Sequence, residues 1–388
     1  MQTYLDNSAT TRICSEALDT YTRVSLECFG NPSSLHGIGH EAEKIISEAR
    51  REIISSMGGG EVIFTASGSE ANNLAIIGRA RSKERYKRGA KIITTMGEHA
   101  SVSEPCDMLA SEGFNVARVP TKGGLVDLQA LEAELTDNTI LVSVMLVNNE
   151  TGAVYNVPAI SSLVKRKCKD ALIHVDATQG YMKIPFTLSG LGADMVTVSS
   201  HKIEGPKGVG ALVIRDGVRK LRALSPVIFG GGQEKGLRSG TENVPGIAAF
   251  GEAVRVGRVK MKESISHMSH LREMLINEIA RNPALSEISP TLPENHAPHI
   301  LNITLPSIKS ETMLHYLSSK GIYVSSGSAC SSNTGHLSSA LIAYGRTESE
   351  ADSSIRISFS ASNTEEDVMA LTDALGEGLS RLARVGRR

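Results

Sequence analysis

The stretch that decides the fold is LIHVDATQGYMKIPFTLSGLGADMVTVSSHK, residues 172–202. It contains two apolar runs of strand length, 172–175 and 195–198, and polar residues follow each run at once. Asp176 follows the first run, and Ser199 and Lys202 follow the second. Parallel sheets bind ligands beyond the carboxyl ends of their strands, so this stretch predicts a sheet and also a site at its edge.

Outward from this stretch, short apolar runs alternate with amphipathic segments from Glu61 to about Val213. Further runs lie at residues 62–64, 91–94, 116–119, 140–147 and 211–213. Strands that alternate with helices predict an α/β fold with a mostly parallel sheet covered on both faces. A long helical pattern over 245–281 then leads to short runs at 300–303, 322–324 and 355–358, which predict a smaller α+β domain.

The composition excludes several classes of protein. Lys+Arg 41 against Asp+Glu 42 gives a net charge of -1, so we expect neither a nucleic-acid nor a membrane partner. The longest apolar run is too short to span a bilayer and the first residues carry no leader, so we expect a cytoplasmic location. The cysteines are scattered without a Cys-x-x-Cys pair, which argues against a disulfide framework and a metal site.

Cys330 lies in GSACSS, residues 327–332. Small, turn-prone residues are typical of a flexible loop rather than of a core, so this run predicts a thiol displayed for reaction. From its neighbours alone, Cys330 suits a nucleophile and a redox sensor equally. The sequence predicts small, partly buried side chains at the other cysteines, which are Cys14, Cys28, Cys106 and Cys168.

Two further patterns suit a phosphorylated cofactor. Ser67-Gly68-Ser69-Glu70 follows a strand and predicts a helix opened by a capping box. The start of that helix, with the Ser69 hydroxyl, suits a phosphate, although an ordinary capped helix has the same pattern. His99 also follows a strand and suits stacking on a flat ring, proton transfer or a structural hydrogen bond.

Asp176 and Lys202 together suit a heterocyclic aldehyde. A carboxylate keeps a pyridine nitrogen protonated, and an amine forms a Schiff base with an aldehyde. On spacing alone, Lys207 competes with Lys202 for the second role.

Eight segments, in order along nearly the whole chain, carry a family resemblance. They are YLDNSATT (4–11), NPSSLH (31–36), EH (98–99), NNETG (148–152), HVDATQ (174–179), SSHK (199–202), RSGT (238–241) and SGSAC (326–330). On these segments the chain resembles the cysteine desulfurases of the NifS/IscS type, which have the aspartate-aminotransferase-like fold type I of pyridoxal 5'-phosphate enzymes. The resemblance implies a large domain, 14–256, with a mostly parallel seven-stranded sheet. It also implies a small α+β domain, 1–13 and 257–388, which carries the Cys330 loop.

The resemblance also implies a role for each matching residue. Lys202 holds the cofactor and later moves protons, Asp176 pairs with the pyridine nitrogen, and His99 stacks on the ring. Arg356 clamps the substrate carboxylate, with Asn149 beside it. Further cofactor contacts are implied for Gln179, Ser69, Ser199, His201, Asn149 and, from a second subunit, Thr241. A site shared in this way implies a homodimer.

The implied reaction removes sulfur from L-cysteine and leaves L-alanine and a persulfide on Cys330. The persulfide sulfur then passes to an acceptor, such as an iron–sulfur scaffold or a tRNA-thiolation protein. Two alternatives stay open: a selenocysteine lyase on the same scaffold, and a weakly catalytic relative that acts as an assembly or interaction protein. The chain departs from the family pattern at 335–337 after Cys330, at Glu204, and at SASN, 360–363, which raises the question of what supports Arg356.

Overall fold

A computed structural model describes residues 2–82, 89–218, 223–306, 308–326 and 337–385. Its strands are β1 (Thr3–Tyr4), β2 (Glu61–Thr65), β3 (Lys91–Thr95), β4 (Asn115–Val119), β5 (Thr139–Met145), β6 (Leu172–Asp176), β7 (Met195–Ser199), β8 (Gly210–Ile214), β9 (Ser289–Thr291), β10 (Ile300–Thr304), β11 (Ile322–Tyr323), β12 (Ser325–Ser326) and β13 (Ser354–Ser358). Its helices are α1 (Ser15–Glu27), α2 (Gly37–Met57), α3 (Gly68–Ala80), α4 (Ala100–Ser111), α5 (Leu128–Glu134), α6 (Val157–Lys167), α7 (Leu188–Leu191), α8 (Val244–Arg281), α9 (Ser310–Ser319), α10 (Ser339–Tyr344), α11 (Glu348–Asp352) and α12 (Glu365–Val385).

The largest sheet has seven strands within the described residues, in the order β2-β8-β7-β6-β5-β3-β4. Strand β8 is antiparallel to both of its neighbours, and the other pairs are parallel. Met145 of β5, Asp176 of β6 and Thr197 of β7 lie side by side across three strands. The polar residues that follow these strands therefore meet at one edge, as the sequence pattern predicts.

Helices cover both faces of this sheet. In β2, Val62 and Phe64 pack into a core with α1, α2 and α8, whereas Ile63 packs into a second core with α3 and α4. Strand β5 is buried along its whole length, which explains why its sequence is a nearly continuous apolar run. The predicted α/β architecture is confirmed.

A second unit contains a four-stranded antiparallel sheet, β12-β13-β10-β9, and its own core with α9 and α12. Helix α8 reaches both units, since Phe250 packs in the first core and Leu275 packs in the core of the second. The predicted smaller α+β unit is confirmed, while the boundaries at 14–256 and 257–388 stay a prediction. None of the described helices combines the length and the apolar content needed to cross a bilayer.

The N-terminal segment connects the second unit to the edge of the large sheet. Strand β1 pairs in parallel with β11, and the Ser358 N–H donates to the Leu5 carbonyl at 2.7 Å. The Asn7 side chain donates to the Ser358 carbonyl at 2.8 Å. These bonds bring Asp6 and Ser8 to the carboxyl ends of β6 and β7.

Candidate active site

A cavity of about 420 Å³ lies at the carboxyl ends of β6 and β7, where β13 approaches the large sheet. The structure brings most of the predicted site residues to its wall. They are Asp176, Lys202, His99, Gln179, Ser69, Ser199, His201, Asn149 and Arg356. Thr241 is not among the lining residues and is exposed just before α8. Cys330 lies outside the described residues.

Asp176 ends β6 and is almost fully buried. Its Oδ2 accepts a hydrogen bond from the Asn72 amide at 2.8 Å, and its Oδ1 accepts from the Thr178 N–H at 2.9 Å. The same Asn72 nitrogen donates to Ser101 Oγ at 2.8 Å. The carboxylate is therefore fixed from two sides, with its position set by a helix and by its own turn.

His99 caps the N-terminus of α4, and its Nδ1 accepts from the Ser101 N–H at 3.1 Å. Solvent reaches the imidazole from the cavity that it faces, although protein surrounds most of the ring. Burial is the main cause that lowers the pKa of His99, and the charge of Asp176 opposes this effect. The ring is therefore uncharged at neutral pH and able to accept a proton.

Lys202 follows β7 in a short 3-10 turn, Ser200–Lys202. Its Nζ donates to the carbonyls of Ser8 and Ala9, the second at 2.8 Å. Lys207 is exposed and does not line the cavity. The structure therefore places Lys202, and not Lys207, at the cavity, a choice that spacing along the chain could not make.

The start of α3 forms one end of the cavity. Ser67 Oγ accepts from the Glu70 N–H at 3.1 Å, as predicted for a capped helix. The predicted reciprocal bond differs, because Glu70 accepts from the Ala66 N–H rather than from that of Ser67. The free N–H groups of this first turn face a site for an anion.

Ser199, at the end of β7, lies beside the start of α3. Ser199 Oγ is buried and has no hydrogen-bond partner among the described residues. A Cβ atom at Gly68 would lie 3.2 Å from Thr178 Oγ1 and 3.3 Å from Ser199 Cβ, so a larger residue would require these side chains to shift. Burial, with a smaller effect of the Lys202 charge, lowers the pKa of His201 to about 4, so His201 offers a neutral ring rather than a positive charge.

Gln179 lies across the cavity from the start of α3 and is held by its amide. Its Nε2 donates to the Ser8 carbonyl at 2.9 Å, while its buried Oε1 has no partner among the described residues. One end of the side chain is thus anchored and the other is available to a ligand.

Arg356 extends from the middle of β13 and is held by two other parts of the chain. Its Nη2 donates to Asp6 Oδ1 at 3.0 Å. Its Nη1 donates to Glu150 Oε1 and to the Asn149 carbonyl, both at 2.9 Å. Burial raises the pKa of both carboxyl groups, and the charge of Arg356 opposes this effect.

The SASN segment, 360–363, supports Arg356 indirectly. Asn363 Oδ1 accepts from the Asn7 amide at 3.1 Å, and Asn363 Nδ2 donates to the Tyr4 carbonyl at 3.0 Å. These bonds hold the N-terminal segment, which in turn carries Asp6 to the guanidinium. The departure from the family pattern therefore leaves three direct bonds to Arg356 in place.

Sequence reasoning assigned no role to several residues of the site, namely Asn72, Ser101, Ser8, Asp6 and Glu150. Asp6, Ser8 and Glu150 lie inside segments that carry the family resemblance, and this position is the only signal that the sequence gives for them. Asn72 carries a different signal. It is a polar residue among the mostly apolar buried residues of α3, and buried amides need hydrogen-bond partners.

The family model for class-V aminotransferases matches residues 3–371, and the chain belongs to that family, which depends on pyridoxal 5'-phosphate. Within it, the chain belongs to the cysteine desulfurases of the NifS/IscS type, as the following similarities show.

The chain is 38% identical over 382 residues to cysteine desulfurase IscS 1 of Archaeoglobus fulgidus, which covers 98% of this chain and 97% of that protein. A solved NifS-like protein superimposes with a TM-score of 0.90 at 38% identity, covering 98% of this chain and 100% of the other. The solved structure of SspA in complex with cysteine gives a TM-score of 0.80 at 31% identity, covering 94% of this chain and 100% of the other. The family resemblance seen in the sequence is thereby confirmed.

Proposed function

We propose that this chain is a cysteine desulfurase, which converts L-cysteine to L-alanine and keeps the sulfur as a persulfide on Cys330. One observation carries the proposal: an amine, a carboxylate and a guanidinium, from Lys202, Asp176 and Arg356, line a single cavity. An amino acid needs the guanidinium for its carboxylate, and an aldehyde cofactor needs the other two groups. The solved relative that binds cysteine supports the choice of substrate.

Pyridoxal 5'-phosphate fits the residues of this cavity. The Ser199 hydroxyl and Gln179 Oε1 have no partner within the part of the chain that the structure describes. The hydroxyl and the first turn of α3 suit the phosphate, and Oε1 suits a hydroxyl group on the ring. Asp176, held by Asn72, suits a protonated ring nitrogen. When bound, the cofactor supplies an electron sink for charge that develops at the α-carbon of the substrate.

Lys202 and His99 handle protons in the proposed reaction. Lys202 holds the cofactor covalently, so its Nζ must leave the Ser8 and Ala9 carbonyls where it rests in this structure. Once released by the substrate, the amine is placed to take the α-proton. His99 is uncharged at neutral pH because burial lowers its pKa, so it can accept and return a proton at the same site.

Arg356 binds the α-carboxylate of the substrate, and Cys330 takes the sulfur. The Cys330 thiolate attacks the substrate sulfur, a sulfur–sulfur bond forms, and the carbon–sulfur bond breaks with its electron pair going to carbon. Protonation of that carbon gives L-alanine. The sum is one sulfur atom moved from cysteine to Cys330, so no external oxidant is needed.

We infer that the working enzyme is a homodimer that delivers sulfur to an acceptor protein, such as an iron–sulfur scaffold. Thr241 is implied to bind the cofactor, and its exposed position outside its own cavity suits a contact with the site of a second subunit. Large apolar side chains are also exposed, including Phe29 at 73%, Leu35 at 106% and Phe229 at 79%. Apolar surface of this kind is typical of subunit interfaces.

The test is turnover of L-cysteine by the loaded enzyme, with alanine and sulfide both measured in the presence of a thiol reductant. We expect Cys330→Ala to keep the absorbance of bound cofactor and to lose sulfide release by at least about 100-fold, because its nucleophile is gone. Cys28→Ala is the matched control, since Cys28 is not among the residues that line the cavity, and it should behave as wild type. Full activity of Cys330→Ala, or turnover of selenocysteine but not of cysteine, would overturn the proposal.

A further inference from the structure

Asp6 is the carboxylate that lies nearest to the substrate side of Arg356. Its Oδ1 is 3.0 Å from Arg356 Nη2, and both side chains line the cavity. Glu150 bonds the same guanidinium at 2.9 Å but does not line the cavity. The Asp6 side chain is 20% exposed, against 6% for Glu150. Asp6 therefore faces the space that a substrate carboxylate would enter.

The charges around Arg356 are already unbalanced before any substrate binds. One guanidinium is paired with two carboxylates, so the cluster carries a net charge of -1 when both are ionised. A bound amino acid adds a third carboxylate at the same guanidinium. A third carboxylate at one guanidinium raises the free energy of the fully ionised cluster and so favours uptake of a proton by one of its carboxylates.

We propose that Asp6 takes up a proton when an amino-acid carboxylate binds at Arg356, and that it donates this proton in a hydrogen bond to the bound carboxylate. The inference rests on the proposed function, because it assumes that Arg356 binds the substrate carboxylate. It adds a further binding residue to that subsite and couples substrate binding to pH.

The geometry favours Asp6 over Glu150 as the proton carrier. Glu150 Oε1 accepts from both Arg356 and the Asn149 amide, and the buried Oε2 has no partner among the described residues. A proton on that oxygen would find no acceptor. Asp6 instead lines the cavity, so a proton on its carboxyl group would have the substrate carboxylate in the same cavity as an acceptor.

Charged and titratable groups from several elements act on Asp6. Arg356 from β13 and Lys202 from beyond β7 favour the ionised form, whereas Glu150, in the segment after β5, repels it. Tyr4, next to β11, also interacts with Asp6. Burial is the largest influence on the pKa of Asp6 and raises it, so burial and a third carboxylate would act on Asp6 in the same direction.

The experiment measures the Kd of L-alanine for the loaded enzyme as a function of pH, from the change in cofactor absorbance. L-alanine has the carboxylate and amine of cysteine but no sulfur, so the result does not depend on turnover. Proton uptake weakens binding by up to tenfold for each unit of rising pH. The same series with Asp6→Asn removes the titrating group and keeps a hydrogen-bond donor. Titration of the cofactor and of the ligand amine is common to both proteins and cancels in the comparison.

We expect log Kd of the wild type to rise with pH more steeply than that of Asp6→Asn, by about one unit per pH unit at most. Glu150→Gln should keep the wild-type steepness, and L-alaninamide, which lacks the carboxylate charge, should show no difference between wild type and Asp6→Asn. Equal slopes for wild type and Asp6→Asn would overturn the assignment, and so would a slope lost only in Glu150→Gln.

The wild-type protein also provides a test that does not depend on folding of a variant. At pH values below the amine pKa of either ligand, where both amines are protonated, a slope for L-alanine no steeper than that for L-alaninamide would contradict the assignment. Absence of sulfide release from cysteine, with these slopes intact, would instead count against the proposed function alone.

Discussion

Asn72 Nδ2 donates hydrogen bonds to both Asp176 Oδ2 and Ser101 Oγ, each at 2.8 Å. Ser101 Oγ in turn lies 2.8 Å from His99 Nδ1. A short hydrogen-bonded chain therefore joins the carboxylate proposed for the ring nitrogen to the imidazole proposed for the ring face. The starts of α3 and α4 are fixed to the end of β6 by the same bonds, so one amide sets the spacing of two cofactor contacts.

Replacement of Asn72 by alanine should weaken cofactor binding. The variant removes one hydrogen bond to a charged carboxylate, which is typically about 1.5–3 kcal/mol, or roughly 10- to 100-fold in affinity. The measurement is titration of the apoprotein with pyridoxal 5'-phosphate. Asn73→Ala is the control, since the Asn73 amide bonds the backbone carbonyl of Ser69 rather than Asp176. Equal affinities for the two variants would remove Asn72 from the cofactor site.

Borohydride reduction of the loaded enzyme should fix the cofactor on Lys202. The expectation follows from position, because Lys202 lines the cavity and Lys207 is exposed outside it. Peptide mapping after reduction identifies the modified lysine. Lys207→Ala should retain the cofactor absorbance, whereas Lys202→Ala should lose the covalent product. A labelled peptide that carries Lys207 would contradict this assignment.

Ligands bind at the carboxyl ends of parallel strands, and this rule explains why part of the site could be predicted from sequence. Asp176 ends β6, Ser199 ends β7 and Lys202 follows β7. Because β6 and β7 pair in parallel, their carboxyl ends lie together. Residue type then indicates the chemistry. The same reasoning could not choose between Lys202 and Lys207, because spacing along the chain does not say which lysine faces inward.

The remaining contacts depend on pairings that no local pattern encodes. Asp6 meets Arg356 across 350 positions of sequence, through the pairing of the N-terminal segment with β11 and β13. Asn72 is polar on a buried helix, and its partner is chosen by how α3 packs over the sheet. Cys330 lies outside the described residues, so its role remains a prediction from sequence and family.

Glu98 should make the stability of the protein depend on pH. Its Oε1 accepts from Thr95 Oγ1 at 2.6 Å and from the Met145 N–H at 3.0 Å, and burial raises its pKa from 4.5 to about 8. The folded state thus keeps a proton that the unfolded state loses. The resulting stability is fully present below 4.5 and is lost as pH rises toward 8, by at most about 1.4 kcal/mol per pH unit.

Glu98→Gln should remove this dependence, because an amide keeps the acceptor oxygen and does not ionise. The midpoint of urea unfolding, measured at several pH values, should fall less steeply with rising pH in the variant than in the wild type. Glu104→Gln, at an exposed position of α4, is the control and should follow the wild type. Parallel profiles for the wild type and Glu98→Gln would show that Glu98 is ionised in the folded protein.

Hybrid dimers should reveal whether Thr241 acts in the site of the other subunit. Lys202→Ala removes the amine that is proposed to hold the cofactor, and Thr241→Glu places a negative charge where a contact with the phosphorylated cofactor is proposed, so each homodimer should be nearly inactive. In a hybrid of the two, one site carries both changes and the other carries neither, which restores about half of the wild-type activity. Co-expression with two affinity tags isolates the hybrid for assay of sulfide release. A hybrid no more active than its parents would place Thr241 in its own subunit's site.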